Sequence, residues 1–337
     1  MEVTFNNCCV SLLTPDRQVI DEANMVFRPP PGIVQDTPEW SQELAAFHTR
    51  TLPQIVTAAV AAAPADIPFE LCCLSVVSGK HNRNVELARP ILRQTARHRE
   101  AKLLEVDHHE AHLLIALLYQ PGLQFPYIGL TVAGGHCRLS LVRGVGDYQL
   151  LGSHEAAPRN RFGHGRAPGS VLDRCAELLG LVPAGQPDGA ITIDVLSQQA
   201  TVPPLTDRFA ITARANSANG YDFDFHALYE EVAHAHQASG ADPRELAAAA
   251  QEQVMAILVE KAFSAAAAWD AHGVCLGGGV AANSRLRTLA RNRAAHDRRW
   301  VCIPPPEVCV DNARMIAFAG MLRADQEAAG GAQCGYS

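Results

Sequence analysis

Tyr127-Ile128-Gly129-Leu130-Thr131-Val132-Ala133-Gly134-Gly135-His136 is an apolar run that breaks into two glycines. It predicts a buried strand ending in a tight loop. Cys137 to Arg143 is strand-like again, Gly144-Val145-Gly146-Asp147 makes a hairpin turn, and Tyr148 to Leu151 returns from it. Upstream, a similar order is already present. Glu2 to Leu13 reads as a strand, and Arg17 to Phe27 as a turn and a second strand. Trp40 to Ala63 carries apolar residues at helical spacing, Phe69 to Val77 is a buried strand run, Asn84 to Ala96 is helical, and Lys102 to Val106 is a short strand. The pattern restarts near Gln124. Strands followed by helices point to an α/β fold. Two similarly ordered halves predict a duplicated two-lobe architecture with a central cleft. The boundaries that follow are an N-terminal α/β lobe over 1–126, completed by a C-terminal helix over 313–326, and a C-terminal α/β lobe over 127–312 with a helical insertion.

Within the second half, Asp173 to Leu181 predicts a helix, Pro183 to Asp188 a Pro/Gly turn, and Pro203 to Gly220 an irregular stretch. Asp242 to Trp269 predicts a long Ala-rich helix opened by Asp242-Pro243.

A chain of 337 residues with 48% hydrophobic and 19% charged residues has the composition of a globular enzyme and not of a disordered segment. Its net charge of −7 argues against indiscriminate nucleic-acid binding, though not against a local basic patch for a folded RNA. The ten cysteines include the adjacent pairs Cys8-Cys9 and Cys72-Cys73 but no C-x-x-C spacing, which favours buried reduced thiols over a zinc ribbon or a disulfide framework. No stretch reaches the length of a membrane span, and neither a charged-then-apolar signal nor an Arg-rich presequence is visible. An intracellular protein with no membrane contact is expected.

His108-His109-Glu110-Ala111-His112 is followed by an apolar run. His108 and His112 are four apart, so on a helix their imidazoles leave one face a turn apart and can grip one cation. Asp311, within Cys309-Val310-Asp311-Asn312, would add a carboxylate and leave coordination positions open for substrate. By itself the His pair also fits ordinary surface or core histidines. Val274-Cys275-Leu276 runs into Gly277-Gly278-Gly279-Val280-Ala281-Ala282-Asn283 and then into helical Ser284 to Ala294. In that strand–loop–helix arrangement, backbone N–H groups can meet a phosphate, or the glycines can simply permit a turn.

Taken together, these segments resemble the tRNA threonylcarbamoyladenosine transferase family, of the TsaD type and its bacterial or mitochondrial branch. Val132 to His136 looks like that family's V-S-G-G-H loop, and Asp173 to Leu181 resembles its D-K-x-A-K-L-L-G-L helix. Gly278 to Leu286 is close to G-G-V-S-A-N-x-x-L, and Cys309-Val310-Asp311-Asn312 is close to C-T-D-N. The resemblance implies an actin/Hsp70/sugar-kinase-like fold. It also implies transfer of a threonylcarbamoyl group from threonylcarbamoyl-adenylate to the exocyclic amine of the adenosine 3′ to a tRNA anticodon, with release of AMP. On that resemblance His108, His112 and Asp311 would hold one divalent metal ion per subunit, iron or zinc. Val132, Ala133, Gly134, Gly135, His136, Asp173 and Asn283 would hold the adenylate, with Gly185, Gln186, Gly278 and Gly279 as further candidates. Asp173 and Asn283 have a plain alternative as helix caps. TsaB- and TsaE-like proteins, or a second copy in a homodimer, are the partners implied alongside tRNA.

The chain also departs from the family pattern. The opening E-T-S-C-D-x-T is replaced by Phe5-Asn6-Asn7-Cys8-Cys9-Val10-Ser11, and G-P-G-L-x-G by Ser78-Gly79-Lys80-His81-Asn82-Arg83. Gln186 stands where the family's second nucleotide-binding glycine is expected, and Phe223 to Tyr229 lacks the lysine of F-S-F-S-G-L-K. A basic loop carrying Arg159, Arg161 and Arg166 replaces an acidic one, which offers a tRNA phosphate contact or ordinary solvated surface. The rival readings are a catalytically weak, metal-binding paralogue and a related carbamoyltransferase. A zinc peptidase is excluded by spacing, because H-E-x-x-H places Glu directly after the first ligand.

Overall fold

A computed structural model describes residues 1–3, 7–30, 33, 37–64, 68–77, 83–154, 167–183, 188–199, 209–218 and 220–333. The chain divides into two compact units, Met1–Pro121 with Asp311–Ser337, and Gly122–Val310.

The first unit opens with β1 (Glu2–Val3), β2 (Asn7–Leu13) and β3 (Val19–Val26), antiparallel in the order β1-β2-β3. Glu2 pairs with Cys9 and Val3 with Cys8, so the run expected to be one strand is two. α1 (Pro38–Ala62) starts with Thr37 as N-cap, accepting from Trp40 N at 3.2 Å, and with Pro38 in the first turn. It buries Trp40, Leu44, Phe47, Leu52 and Ile55. β4 (Leu71–Val76), α2 (Arg83–His98) and β5 (Lys102–Asp107) follow, with β4 and β5 parallel. Ser75 N donates to Met1 O at 3.0 Å and ties β1 to β4. α3 (His108–Leu114) leaves β5 without a connecting loop, and α4 (Ala116–Tyr119) ends the segment.

The second unit holds a five-stranded sheet. It is built from β6 (Tyr127–Val132), β7 (Cys137–Gly144), β8 (Asp147–Ser153), and further along β9 (Gly273–Gly277) and β10 (Trp300–Cys302), in the order β10-β9-β6-β7-β8. β6, β7 and β8 are antiparallel; β6, β9 and β10 are parallel. Between β8 and β9 lie α5 (Pro168–Leu178), α6 (Gly189–Ser197), α7 (Ala210–Ala218), α8 (His226–Ser239) and α9 (Pro243–Ala268). α10 (Ser284–Asp297) and α11 (Pro306–Cys309) flank β10. The stretch expected to be irregular after Pro203 contains α7. The Glu231 carboxylate accepts from Ile211 N and Thr212 N and so caps that helix from a distance, a signal no local propensity carries. α5 begins at Pro168, five residues before the expected start, because Ala167-Pro168 supplies the first turn. The core centres on α9, whose Leu246, Val254, Leu258 and Phe263 are fully buried beside Ile128, Leu130 and Val274 of the sheet. The chain then returns to the first unit as α12 (Ala313–Gln333).

Each unit opens with three antiparallel strands; the first continues α1–β4–α2–β5–α3, and the second interposes α5 to α9 before β9–α10–β10–α11, so the expected repeated order recurs with a helical insertion in the second unit. Among the described residues, no helix is long and apolar enough to cross a membrane.

Candidate functional site

In the first unit, β5 delivers the chain straight into α3, and Asp107 caps it by accepting from Glu110 N at 3.0 Å. This places His108 and His112 on one helical face, with ring centroids 4.7 Å apart in an edge-to-face arrangement. Asp311, just before α12, brings its carboxylate between them: Oδ1 lies 3.1 Å from His112 Nε2 and 3.6 Å from His108 Nε2. Bonds of about 2.0–2.2 Å to one ion put neighbouring donors roughly 3 Å apart, so this set of two imidazoles and a carboxylate fits a divalent transition metal.

The surroundings hold that geometry. Glu110, 1% exposed, receives Arg323 Nε at 3.0 Å and Nη2 at 2.6 Å, pinning α3 to α12. Asn7 Nδ2 reaches the Asp311 carbonyl at 3.5 Å from β2. His108 Nδ1 lies 3.1 Å from Glu2 Oε2. Burial alone would lower the His108 pKa, but the charge of Glu2 and its hydrogen bond, with Asp311 and Asp107 behind them, raise it to about 9. Burial pushes the Cys8 thiol up to about 12 and Cys9 higher still, so neither β2 cysteine is a thiolate.

In the second unit, Ala133 N donates to His136 O at 2.8 Å and closes the turn after β6, leaving Gly134 and Gly135 exposed at its tip. Ser170 Oγ donates to Gly134 O. Gly278, with φ +82°, presses on Val132, where a Cβ would meet that residue's carbonyl carbon at 2.6 Å. The two glycine loops therefore lie side by side, and their backbone N–H groups can meet an anion. Gly279 stands open beside Val310.

Asp173 on α5 accepts from Ala190 N at 2.7 Å at the start of α6, and Gly189 lies so close that a Cβ would meet Asp173 Cα at 2.7 Å. Burial raises the Asp173 pKa to about 6, against the opposing effect of that backbone hydrogen bond. Asn283 Oδ1 accepts from Arg285 N and Leu286 N, each at 3.0 Å, and its Nδ2 donates to Gln251 Oε1 at 2.8 Å. Asp194 holds Ser284 N at 3.0 Å and Ser284 Oγ at 2.7 Å. Beside them is a cavity of about 210 Å³ lined by Ser197, Gln198, Gln251, Glu252, Ser284 and Arg285. Ser197 Oγ is buried in its wall with no hydrogen-bond partner among the described residues.

Gly185, Gln186, Arg159, Arg161 and Arg166 lie outside the described residues. Sequence reasoning missed Glu2, Gly189, Asp194 and Gln251. Of these only Gly189, two residues beyond Pro187, carried a local signal, that of a glycine ahead of an apolar helix.

The sequence model of the TsaD family, tRNA N6-adenosine threonylcarbamoyltransferase, matches residues 91–318. A protein of that name from Anaeromyxobacter dehalogenans (strain 2CP-1) is 40% identical over 225 residues, 65% of this chain and 62% of the relative. One from Sphingopyxis alaskensis is 36% identical over 225 residues, 66% of this chain and 60% of the relative. The chain thus spans about three-fifths of the length of the curated relatives it matches. Among solved structures, HypF from T. kodakarensis aligns with TM-score 0.56 and 15% identity over 81% of this chain and 43% of that one. Component A of the Acidaminococcus fermentans (R)-2-hydroxyglutaryl-CoA dehydratase aligns with TM-score 0.51 and 11% identity over 97% of both chains. The shared fold is the actin/Hsp70/sugar-kinase-like α/β fold expected from the sequence.

Proposed function

Because this chain belongs to the TsaD family of tRNA N6-adenosine threonylcarbamoyltransferases, we propose that it transfers the threonylcarbamoyl group of threonylcarbamoyl-adenylate to the exocyclic amine of the adenosine 3′ to a tRNA anticodon. The observation that carries this reading is the convergence of His108, His112 and Asp311, brought together from opposite ends of the matched region. In the proposed step the adenosine amine attacks the carbamoyl carbon of the mixed anhydride. The bond from that carbon to the phosphate oxygen breaks, AMP departs, and the amine loses a proton. AMP is a good leaving group, so the task of the protein is orientation more than activation.

His108, His112 and Asp311 would hold one iron or zinc ion, which would supply an anchor and a Lewis acid for the carbamoyl donor. The glycine loops at Val132–His136 and Gly278–Gly279 offer backbone N–H groups to the phosphate. Asp173 offers a hydrogen-bond acceptor to a ribose hydroxyl, and the Asn283–Gln251 pair a polar edge to the base. Asp173 and Asn283 already serve as caps, so they reach a substrate as fixed groups. The reaction takes place in the cytoplasm or mitochondrial matrix, with TsaB- and TsaE-like proteins or a second copy as partners.

The test is direct: the purified chain, threonylcarbamoyl-adenylate and tRNA are combined with and without those partner proteins, and nucleosides are read by mass spectrometry alongside AMP release. Modified adenosine in the parent and its loss in His112→Ala support the reading. A second reading, a metal-binding paralogue without turnover, draws on the N-terminal departures, which lie in the region outside the family match. Metal-loaded parent that yields no modified nucleoside with any partner set would establish that one instead.

A further inference from the structure

Glu2 is a carboxylate in an unusual place. It sits on a two-residue strand outside the matched region, and it is 1% exposed. Burying an ionised carboxylate costs several kcal/mol unless another group compensates it. The backbone leaves it little freedom. Glu2 pairs with Cys9 on β2, and the preceding Met1 carbonyl accepts from Ser75 N on β4 at 3.0 Å. Held from both sides, its Oε2 lies 3.1 Å from His108 Nδ1. The far side of the same ring, Nε2, faces Asp311 Oδ1 at 3.6 Å, and His112 Nε2 meets that same oxygen at 3.1 Å.

We propose that Glu2 is a positioning residue for the metal centre: its carboxylate accepts the His108 Nδ1 proton and so fixes the tautomer that presents Nε2 to the ion. A carboxylate behind a ligating imidazole locks the ring orientation and makes the free nitrogen a stronger donor, and losing such a group weakens metal affinity by about 10–100-fold. β2 adds to the same arrangement, since Asn7 reaches the Asp311 carbonyl one strand away from Glu2. The strand pair thus supports two of the three ligands from behind without contributing a ligand. This inference rests on the metal-site reading above, and the test separates the two.

Zinc affinity of the full chain is measured by competition with a chromophoric chelator for the parent, Glu2→Gln, Glu2→Leu and His112→Ala. The visible spectrum is recorded for the same proteins loaded with cobalt(II). Glu2→Leu is expected to bind zinc 10–100-fold more weakly and to shift the cobalt bands. Glu2→Gln keeps an acceptor oxygen without the charge, so it should fall between that variant and the parent. Glu2→Leu leaves His108 without its Glu2 carboxylate partner, so its metal-free thermal midpoint should fall below the parent's, while Glu2→Gln, which keeps a hydrogen-bond acceptor, should melt closer to the parent. If Glu2→Leu fails to fold, Glu2→Gln carries the test. Zinc affinity and cobalt spectra unchanged in Glu2→Gln and Glu2→Leu, with metal lost in His112→Ala, overturn this inference alone. Metal retained in His112→Ala overturns the metal site itself.

Discussion

The proposed metal centre of the first unit and the glycine loops of the second use polar side chains in opposite ways. Around His108 and His112, side chains converge on one another, and the elements behind them, through Glu110–Arg323 and Glu2, aim them at a common point. In the second unit the side chains singled out as ligand contacts bind the protein's own backbone: Asp173 holds the start of α6 and Asn283 the start of α10. The difference shows where function and stability separate. A metal-site mutation should empty the centre and leave the rest standing, whereas a mutation at Asp173 or Asn283 should disturb folding and ligand binding together.

The widest expected effect tests the first half of that contrast. His112→Ala or Asp311→Ala should lose most of the metal, at least about 100-fold in affinity, because three protein ligands leave little redundancy. Hydrogen exchange in the second unit should not change, and a change spreading there would break the separation. Next comes Arg323→Ala, which strips a bidentate partner from the buried Glu110 carboxylate. The Arg323 side chain is 43% exposed, so part of the interaction is screened, and a loss of about 2 kcal/mol by denaturant titration is expected.

Asn283→Ala removes the α10 cap and a partner of Gln251 at once. It should cost about 1–2 kcal/mol and weaken adenylate binding, with metal content unchanged. Weakened binding at parental stability would mean that the cap is dispensable and the contact purely functional.

Asp173 adds a pH dependence with a definite sign. Its pKa is about 6 in the folded protein, above the unfolded 3.8, so the folded state holds the proton more tightly. The stability this contributes is complete below about pH 3.8 and is lost as pH rises through 6. Asp173→Asn keeps an oxygen for Ala190 N, so it should be more stable than the parent at pH 8, by about 1 kcal/mol after allowing for partial exposure, and equal to it near pH 4. Melting curves at the two pH values check this, and a variant less stable at pH 8 would show that the charge itself is needed. The smallest effect is expected from the combined Arg159→Ala, Arg161→Ala and Arg166→Ala. tRNA affinity should fall and the salt slope flatten by about two to three phosphate contacts, with metal and adenylate binding intact. An unchanged slope returns that loop to ordinary surface.

Much of this molecule is legible in the linear chain because its signals are local. A strand breaking into Gly134-Gly135, a His pair one helical turn apart, and Asp242-Pro243 opening α9 each follow from residues within one element. The α/β class and the duplicated order of strands and helices follow from the same kind of pattern, since backbone periodicity is set residue by residue. What the tertiary structure alone decided is set by residues far apart in sequence. It divided the opening run into two strands, and so carried Glu2 to His108, 106 positions away. It pressed Gly189 onto Asp173, and it built α7 on a cap from Glu231, 20 positions downstream of Ile211. No local propensity encodes such partners, because the energy that selects them, compensation of a buried charge or capping of a helix end, exists only once the chain has brought both groups out of water.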